Sequence, residues 1–503
     1  MWRARFAVSV VLAGISLGSC GDSTSGDRQT PGGSAGTTAG SGGEAGSGKG
    51  GTGSGTAGNG EAGAPSAGTG GKGLGGTDGV AGEGGVDGGE GGAVSGGEGG
   101  AAGAGGAPDE CGDTGGLTAQ ELLANVDTFV VLVMEGRSFD HYLGSLSLEG
   151  KPVNGLTGSE SNPDPDQNDV LVHELNATTL DIAPPTDWDA AHLQWNQGMN
   201  DGFVTTAAGA NQETVMGYYT RALLPISYEL ADGGVVCDAW FSSVLGPTWP
   251  NRFYLHGATS NGLKTSFPIN SGFTSIFDRL SEAGVDAVNY HGDVAWASGA
   301  YFKLSGLASM DQFLEDAAAG NLPAFSLVDP TFISGGANDD GPSHDIRLGQ
   351  ALISTVFAAL AQSPQWSRSL FVLTYAQPGG YFDHVSPPTT VDERAEFTQL
   401  GFRVPTILAG PFVKRGCVLS ETLEHVSIIK TLTTRFGLAS LNARVDATRD
   451  LSGVIHAPYL SDPQPPPILP PPVLPLERRM LESKPALRRI LDRGVRLGAV
   501  RWP

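Results

Sequence analysis

Cysteine is nearly missing from this chain, with four residues among 503. Cys20, Cys111, Cys237 and Cys417 form no CxxC pair and no Cys/His cluster, which argues against a structural zinc site. Cationic side chains are scarce too: 30 lysines and arginines face 53 aspartates and glutamates, for a formal net charge of −23. So few cations make no basic face interleaved with aromatics, and this argues against nucleic-acid binding. The N-terminal hundred residues have almost no large apolar side chains after Leu17. With nothing to bury, such a segment cannot offset the entropy of ordering it.

The chain ends carry their own signals. Arg3 and Arg5 precede an apolar stretch, Phe6 to Leu17, that is short for a membrane span. Leu17-Gly18-Ser19-Cys20 follows with the small residues of a lipoprotein cleavage site. The expectation is a signal peptide over 1–19 with lipidation at Cys20. The protein would then be exported and lipid-anchored to the cell envelope, at the outer membrane or cell surface. Residues 20–108 hold half of the 76 glycines and read as a flexible tether. If Cys20 carries lipid, Cys111, Cys237 and Cys417 allow one disulfide in an exported domain, and the sequence leaves the pair open.

A folded domain is expected over 109–460, followed by a Pro-rich segment and a C-terminal basic helix over 461–503. Thr128 to Met134 and Ser369 to Tyr375 are apolar runs without polar alternation, as strands covered on both faces require. Val404 to Ala409 reads as a third strand. Asp345 to Gln362 and His425 to Phe436 have apolar residues at helical spacing, the second closed by Gly437. Strands alternating with helices predict an α/β fold around a mostly parallel sheet. Ligands bind beyond the carboxyl ends of such strands, and Glu135 and Gln377 both lie just past strand ends. Asn154 to Asp201 reads as an irregular excursion over that face. Ser461 to Pro475 reads as extended polyproline. Leu476 to Trp502 reads as a helix docked with its arginines in solvent, interrupted by Pro485, Gly494 and Gly498.

Three motifs carry the chemistry. Val130-Val131-Leu132-Val133-Met134-Glu135-Gly136-Arg137-Ser138-Phe139-Asp140-His141 delivers a carboxylate into a turn. Gly246-Pro247-Thr248-Trp249-Pro250-Asn251-Arg252 places a threonine where a turn enters a helix. The free N–H groups there attract a phosphate, and the hydroxyl is a candidate nucleophile. Thr374-Tyr375-Ala376-Gln377-Pro378-Gly379-Gly380-Tyr381-Phe382-Asp383-His384-Val385-Ser386-Pro387-Pro388 completes the set.

These motifs resemble those of the bacterial phosphoesterase family that includes phospholipases C and acid phosphatases, over nearly all of residues 126–450. The resemblance implies an alkaline-phosphatase-like three-layer α/β/α sandwich. It also implies hydrolysis of phosphoric esters by metal-assisted attack of Thr248, with a divalent cation such as Mg²⁺ or Ca²⁺. Several metal positions depart from the family pattern. Gly136 stands for asparagine, Ala376-Gln377 for Asp-Glu, Pro378 for histidine, Gly341 for histidine and Thr186 for histidine. Glu135 and the neutral oxygen of Gln377 remain as metal ligands. His344 and His291 are the catalytic candidates beside Thr248, and Asp339 and Asp340 are further acidic neighbours. Asp383 and His384 are expected to brace the site from behind. The expected partners are a phosphoester or phospholipid substrate, and the membrane through the lipid anchor. The alternative is a catalytically impaired relative that binds a phosphoester, a lipid headgroup or a protein partner through the inherited pocket.

Overall fold

A computed structural model describes residues 111–503, except 181–182, 208, 210, 270, 334–335 and 475–480. The expectations for 1–108, Cys20 included, lie outside the described residues, as do Arg478 and Arg479.

The main sheet has eight strands: β1 Thr128–Met134, β2 Val235–Cys237, β3 Ala287–His291, β4 Leu307–Ser309, β5 Phe325–Asp329, β6 Ser369–Tyr375, β7 Ile407–Ala409 and β8 Cys417–Leu419. Their order across the sheet is β8-β2-β7-β6-β1-β5-β3-β4. All neighbours pair in parallel except β7, which runs antiparallel to both β6 and β2. Every residue of β1 and β6 is buried. This is why neither alternates polar with apolar: helices cover both faces, and each buried Val or Leu contributes about 1.5–3 kcal/mol.

The principal helices are α1 Trp188–Trp195, α2 Thr248–Gly257, α3 Met310–Ala319, α4 Ile346–Ala361, α5 Val426–Phe436 and α6 Pro485–Arg496. α4 packs against α3 and α6, whereas α5 packs against α2, so the helices form two separate groups. The result is the three-layer α/β/α arrangement. Asp345 caps α4 by accepting from Arg347 N, and Gly437 ends α5 at φ +62°.

Three expectations change. The strand read as Val404 to Ala409 shortens to β7 and is the reversed one. Val404 instead donates its N–H to Trp240 O, outside the sheet. The excursion Asn154 to Asp201 is not wholly irregular: Ser161–Pro163 pairs antiparallel with Asp169–Leu171, and α1 lies within it, capped by Asp187. Gly494 does not interrupt the C-terminal helix. It lies inside α6 because a Cβ there would sit 2.5 Å from Thr355 Oγ1, so its absence lets α6 approach α4. Pro485 starts that helix rather than breaking it, where its missing N–H is harmless. The helix does dock, burying Leu487, Ile490 and Leu491, and Arg489 and Arg493 pair with Asp311 on α3.

The disulfide left open by the sequence joins Cys111 to Cys417, tying the start of the domain to edge strand β8. Cys237 is a buried thiol.

Candidate functional site

Because β1, β3, β5 and β6 are parallel, their last residues reach one edge of the sheet together. Glu135 follows β1, Gln377 follows β6, and Asp329 and His291 end β5 and β3 in register with one another. Helix α2 delivers two more groups. Thr248 is its first residue, partly exposed, with no side-chain hydrogen bond to any described residue. Arg252 follows four residues later on the same helix face.

Arg252 organises this edge. Its guanidinium is fully buried and donates from Nε to Glu135 Oε1 at 2.7 Å and from Nη1 to Asp329 Oδ1 at 2.8 Å. A third donation reaches Val133 O at 3.2 Å. Asp329 also accepts from Asn289 Nδ2 and Trp296 N, both at 3.1 Å. Burial pushes the Glu135 carboxyl up to about 7, although Arg252 pulls the other way. The carboxylate expected to hold a metal is thus already held by an internal cation. Arg252 and Asp329 were not assigned from sequence. The signal was available for Asp329: Phe-Ser-Leu-Val-Asp repeats the pattern of an apolar strand ending in a carboxylate, as in Val-Met-Glu.

Gln377 is engaged in its own turn. Its Oε1 accepts from Gly379 N at 2.5 Å, closing the turn that follows β6. Gly136 adopts φ +59°, and a Cβ there would lie 2.7 Å from Pro342 Cδ and 3.3 Å from Gln377 Nε2. A larger residue at 136 would require Pro342 to move. Gly379 is equally constrained, since its Cβ would meet Gly136 O at 2.0 Å.

His344 stands on the segment beside Glu135, whose N–H donates to Asp339 O at 2.7 Å. The imidazole Nδ1 lies 2.5 Å from Asp339 Oδ1, and this hydrogen bond raises the His344 pKa above its ordinary value. A Cβ at Gly341 would fall 3.2 Å from that same Nδ1. His344 therefore fills the space a side chain at 341 would enter. His291 has a buried Nδ1 with no hydrogen-bond partner, and no hydrogen bond links it to Thr248, Glu135 or His344.

Asp383 and His384 brace the motif, at a distance from Glu135 in the bonding network. Arg403 donates to Asp383 Oδ1 and to Asp140 Oδ1, each at 2.9 Å. His384 Nδ1 is 2.6 Å from Asp140 Oδ2, and its Nε2 is 2.9 Å from Asn154 Oδ1. Burial raises Asp383 to about 6, whereas Arg403 and His384 outweigh burial at Asp140 and hold it low. Among the described residues, Asp140, Asp383 and His384 are the one group close enough to share an ion. Arg403 already supplies their positive charge.

The residues present do not fit a divalent cation at Thr248. A hard cation needs several anionic oxygens with free lone pairs. Here Glu135 is the one carboxylate left at the inherited positions and its Oε1 is bonded to Arg252, Gln377 is neutral and accepts from Gly379 N, and positions 136 and 376 carry no ligand atom in their side chains.

The motif segments nevertheless converge. Thr186, Gln194, Gly246, Gln377, Pro378 and Gly380 surround a cavity of about 10 Å³, at the lower limit for one water. A wider cavity of about 670 Å³ lies across the Pro185–Asp187 segment. Asp187, Asp189 and Asp201 line it with no lysine or arginine, so it does not suit an anion.

Behind Glu135, Asp340 is fully buried and accepts from Tyr375 OH at 2.7 Å. Burial raises its carboxyl to about 7 from 3.8. The folded state then holds this proton more tightly than the unfolded chain does. The resulting stability is complete below the unfolded pKa and is lost as pH rises through the folded one. Urea titrations should therefore show wild type losing stability relative to Asp340→Asn between about pH 4 and pH 7. Parallel curves would mean that Asp340 is not protonated in that window.

Comparison with known proteins follows the same chain segments. The family model described as Phosphoesterase family matches residues 126–439. Non-specific phospholipase C6 of Arabidopsis thaliana is 34% identical over 357 residues, covering 63% of this chain and 69% of the relative. Phospholipase C A of Mycobacterium tuberculosis (strain ATCC 25618 / H37Rv) is 29% identical over 391 residues, covering 63% and 74%. Among solved structures, an alkaline phosphatase superfamily protein from Vibrio parahaemolyticus aligns with a TM-score of 0.35 at 12% identity. It covers 65% of this chain and 70% of that one.

Proposed function

Because this chain belongs to the phosphoesterase family, we propose that its folded domain works on phosphoric esters, of the phospholipid or phosphomonoester kind, at the N-terminus of α2. The supporting observation is Thr248: an unbonded hydroxyl on the first residue of a ten-residue helix, at the carboxyl edge of a parallel sheet. The helix terminus attracts the phosphate, and the hydroxyl is the group that faces it. In the hydrolytic form of this reading, Thr248 Oγ1 bonds to phosphorus and the ester oxygen leaves with a proton. Water then releases the phosphate from the threonine. The relatives are named as phospholipases C, which supports this class of reaction.

A second form, phosphoester binding with little or no turnover, is favoured by a specific observation. The Arg252–Glu135 pair neutralises the one carboxylate left at the inherited positions, and Gln377, which is neutral, is tied into its own turn. Without a metal or an adjacent base, a threonine hydroxyl is a weak nucleophile at neutral pH. The two forms separate in one assay of the full chain against phosphomonoester, phosphodiester and phosphatidylcholine substrates. Mg²⁺, Ca²⁺, Mn²⁺ and Zn²⁺ are added in turn, with Thr248→Ala alongside. The expected result is no metal-dependent turnover by either protein. Metal-stimulated turnover that vanishes in Thr248→Ala would establish the hydrolytic form instead.

We further propose that the domain sits outside the cytoplasm, on a lipid anchor at Cys20. The Cys111–Cys417 disulfide supports an oxidising compartment. Expressed in a bacterial host, the protein should partition with membranes, and Cys20→Ala should release it. Equal partitioning of the two would rule out the anchor.

A further inference from the structure

A site that lacks a metal still has to hold a phosphate dianion, and the buried arginines cannot do so. Arg252, Arg403 and Arg444 are each fully buried and each already pairs with two carboxylates. Arg137, also fully buried, is bonded through its guanidinium to Asp340 O, Gly341 O and His141 Nε2. Two other cations stand near the nucleophile segment with no carboxylate in ion-pair reach among the described residues. They are Lys264 and Arg394.

Trp188 joins them to the site. Its ring packs on Gly246, where a Cβ would lie 3.0 Å from Trp188 Cε3. Gly246 is two residues before Thr248 and lines the small cavity between the motifs. The Lys264 ammonium rests on the same indole, 4.7 Å from its centroid. Phe397 meets that indole edge-on at 5.1 Å, which brings the 392–397 loop to the same place. On this loop, the Arg394 guanidinium lies over Gly262, where a Cβ would be 3.0 Å from Nη1 and 3.1 Å from Cζ. Gly262 adopts φ +84° and is two residues before Lys264. Trp188 thus has the nucleophile segment on one contact and both cation-bearing segments on others.

Of the neighbouring acids, Asp392 accepts from the backbone N–H of Arg394 at 2.9 Å. It also binds Arg444 and Tyr254, and Asp187 caps α1. Glu393 and Glu396 are exposed and form no ion pair among the described residues. The two cations stand among Asp187, Asp189, Asp392, Glu393 and Glu396, so holding an anion there rests on direct contact with Lys264 and Arg394 and not on a positive field. The indole holds Lys264 in place before any ligand arrives, and the Arg394 fork suits two phosphate oxygens.

We propose that Lys264 and Arg394, set around Trp188, form the rim that takes the phosphate of a phosphoester at the Thr248 site, in place of a divalent cation. This rests on the phosphoester reading above. The shared ligand chemistry is a phosphate monoester dianion, from a soluble ester or from a phosphatidate headgroup.

The test uses the full chain and its Lys264→Met, Arg394→Met and double variants. Lys303→Met removes a cation elsewhere, beside Phe277, and serves as the charge control. Binding is measured by calorimetry with inorganic phosphate at fixed ionic strength, and by co-sedimentation with phosphatidylcholine vesicles containing phosphatidic acid. Each single variant should weaken binding by about tenfold and the double variant by more, as the loss of charge-assisted hydrogen bonds predicts. Lys303→Met should match wild type. Loss in both assays supports the rim with a lipid headgroup as its ligand, and loss with phosphate alone supports it with a soluble ester. A double variant that binds as wild type does, while wild type binds well, overturns the rim and leaves the phosphoester reading intact. Wild type that binds neither probe overturns that reading and the rim with it.

Discussion

Arg252→Met is expected to destabilise the domain by about 3–5 kcal/mol, the usual result of removing one partner from a buried ion pair. The change would leave Glu135 and Asp329 facing one another in the interior without a cation. Urea unfolding followed by tryptophan fluorescence measures it. A second variant keeps the result interpretable: Arg252→Met with Glu135→Gln removes one of the stranded charges and should recover part of the loss. The variant also probes the metal question from the opposite side. With the guanidinium gone, two carboxylates are left without their cation, and added Ca²⁺ or Mg²⁺ should raise the melting temperature of Arg252→Met while leaving wild type unchanged. A loss below about 1 kcal/mol would fall within the range of exposed pairs. It would show that Arg252 is not the cation holding Glu135.

Opening the Cys111–Cys417 disulfide should be the other large effect. The bridge spans 306 residues, and closing so long a loop removes much of the freedom of the unfolded chain. Chain-entropy reasoning puts the loss at about 6 kcal/mol, and measured cases scatter below such values. Cys111→Ala with Cys417→Ala, compared with wild type under oxidising and reducing conditions, isolates the effect. Reductant should lower the wild-type denaturation midpoint to that of the double variant and leave the variant unmoved. Equal midpoints under oxidising conditions would mean that the tie between residue 111 and β8 holds nothing the rest of the core does not.

Much of the fold was legible because its signals are local. A strand such as Ser369–Tyr375, covered on both faces, shows no polar alternation, and α4 places its large apolar residues at a 3.6-residue period although nearly all of it is buried. The edge that carries the site was legible for the same reason, since Glu135 and Gln377 each follow an apolar run. The misreadings have a common cause. Gly494 is a helix breaker by propensity, yet in α6 it makes room for Thr355, a residue 139 positions earlier in the chain. The reversal of β7 depends on which neighbours it pairs with, and a three-residue apolar stretch does not encode that.

The site shows the same division. By itself, the sequence determined the family, the nucleophile candidate Thr248, the side chains replaced at positions 136 and 376–378, and the acidic balance of the chain. These depend on residue identity and on spacing within one segment. Tertiary structure alone decided which charges meet. It gave Glu135 to Arg252, Asp383 and Asp140 to Arg403, Gln377 to its own turn, and the imidazole of His344 to the space beside Gly341. It also chose Cys417 over Cys237 for the disulfide and brought Lys264 and Arg394 around Trp188. The reason is physical. A buried charge must find its partner within a few ångströms of space, and the partner's position along the chain has no bearing on that distance.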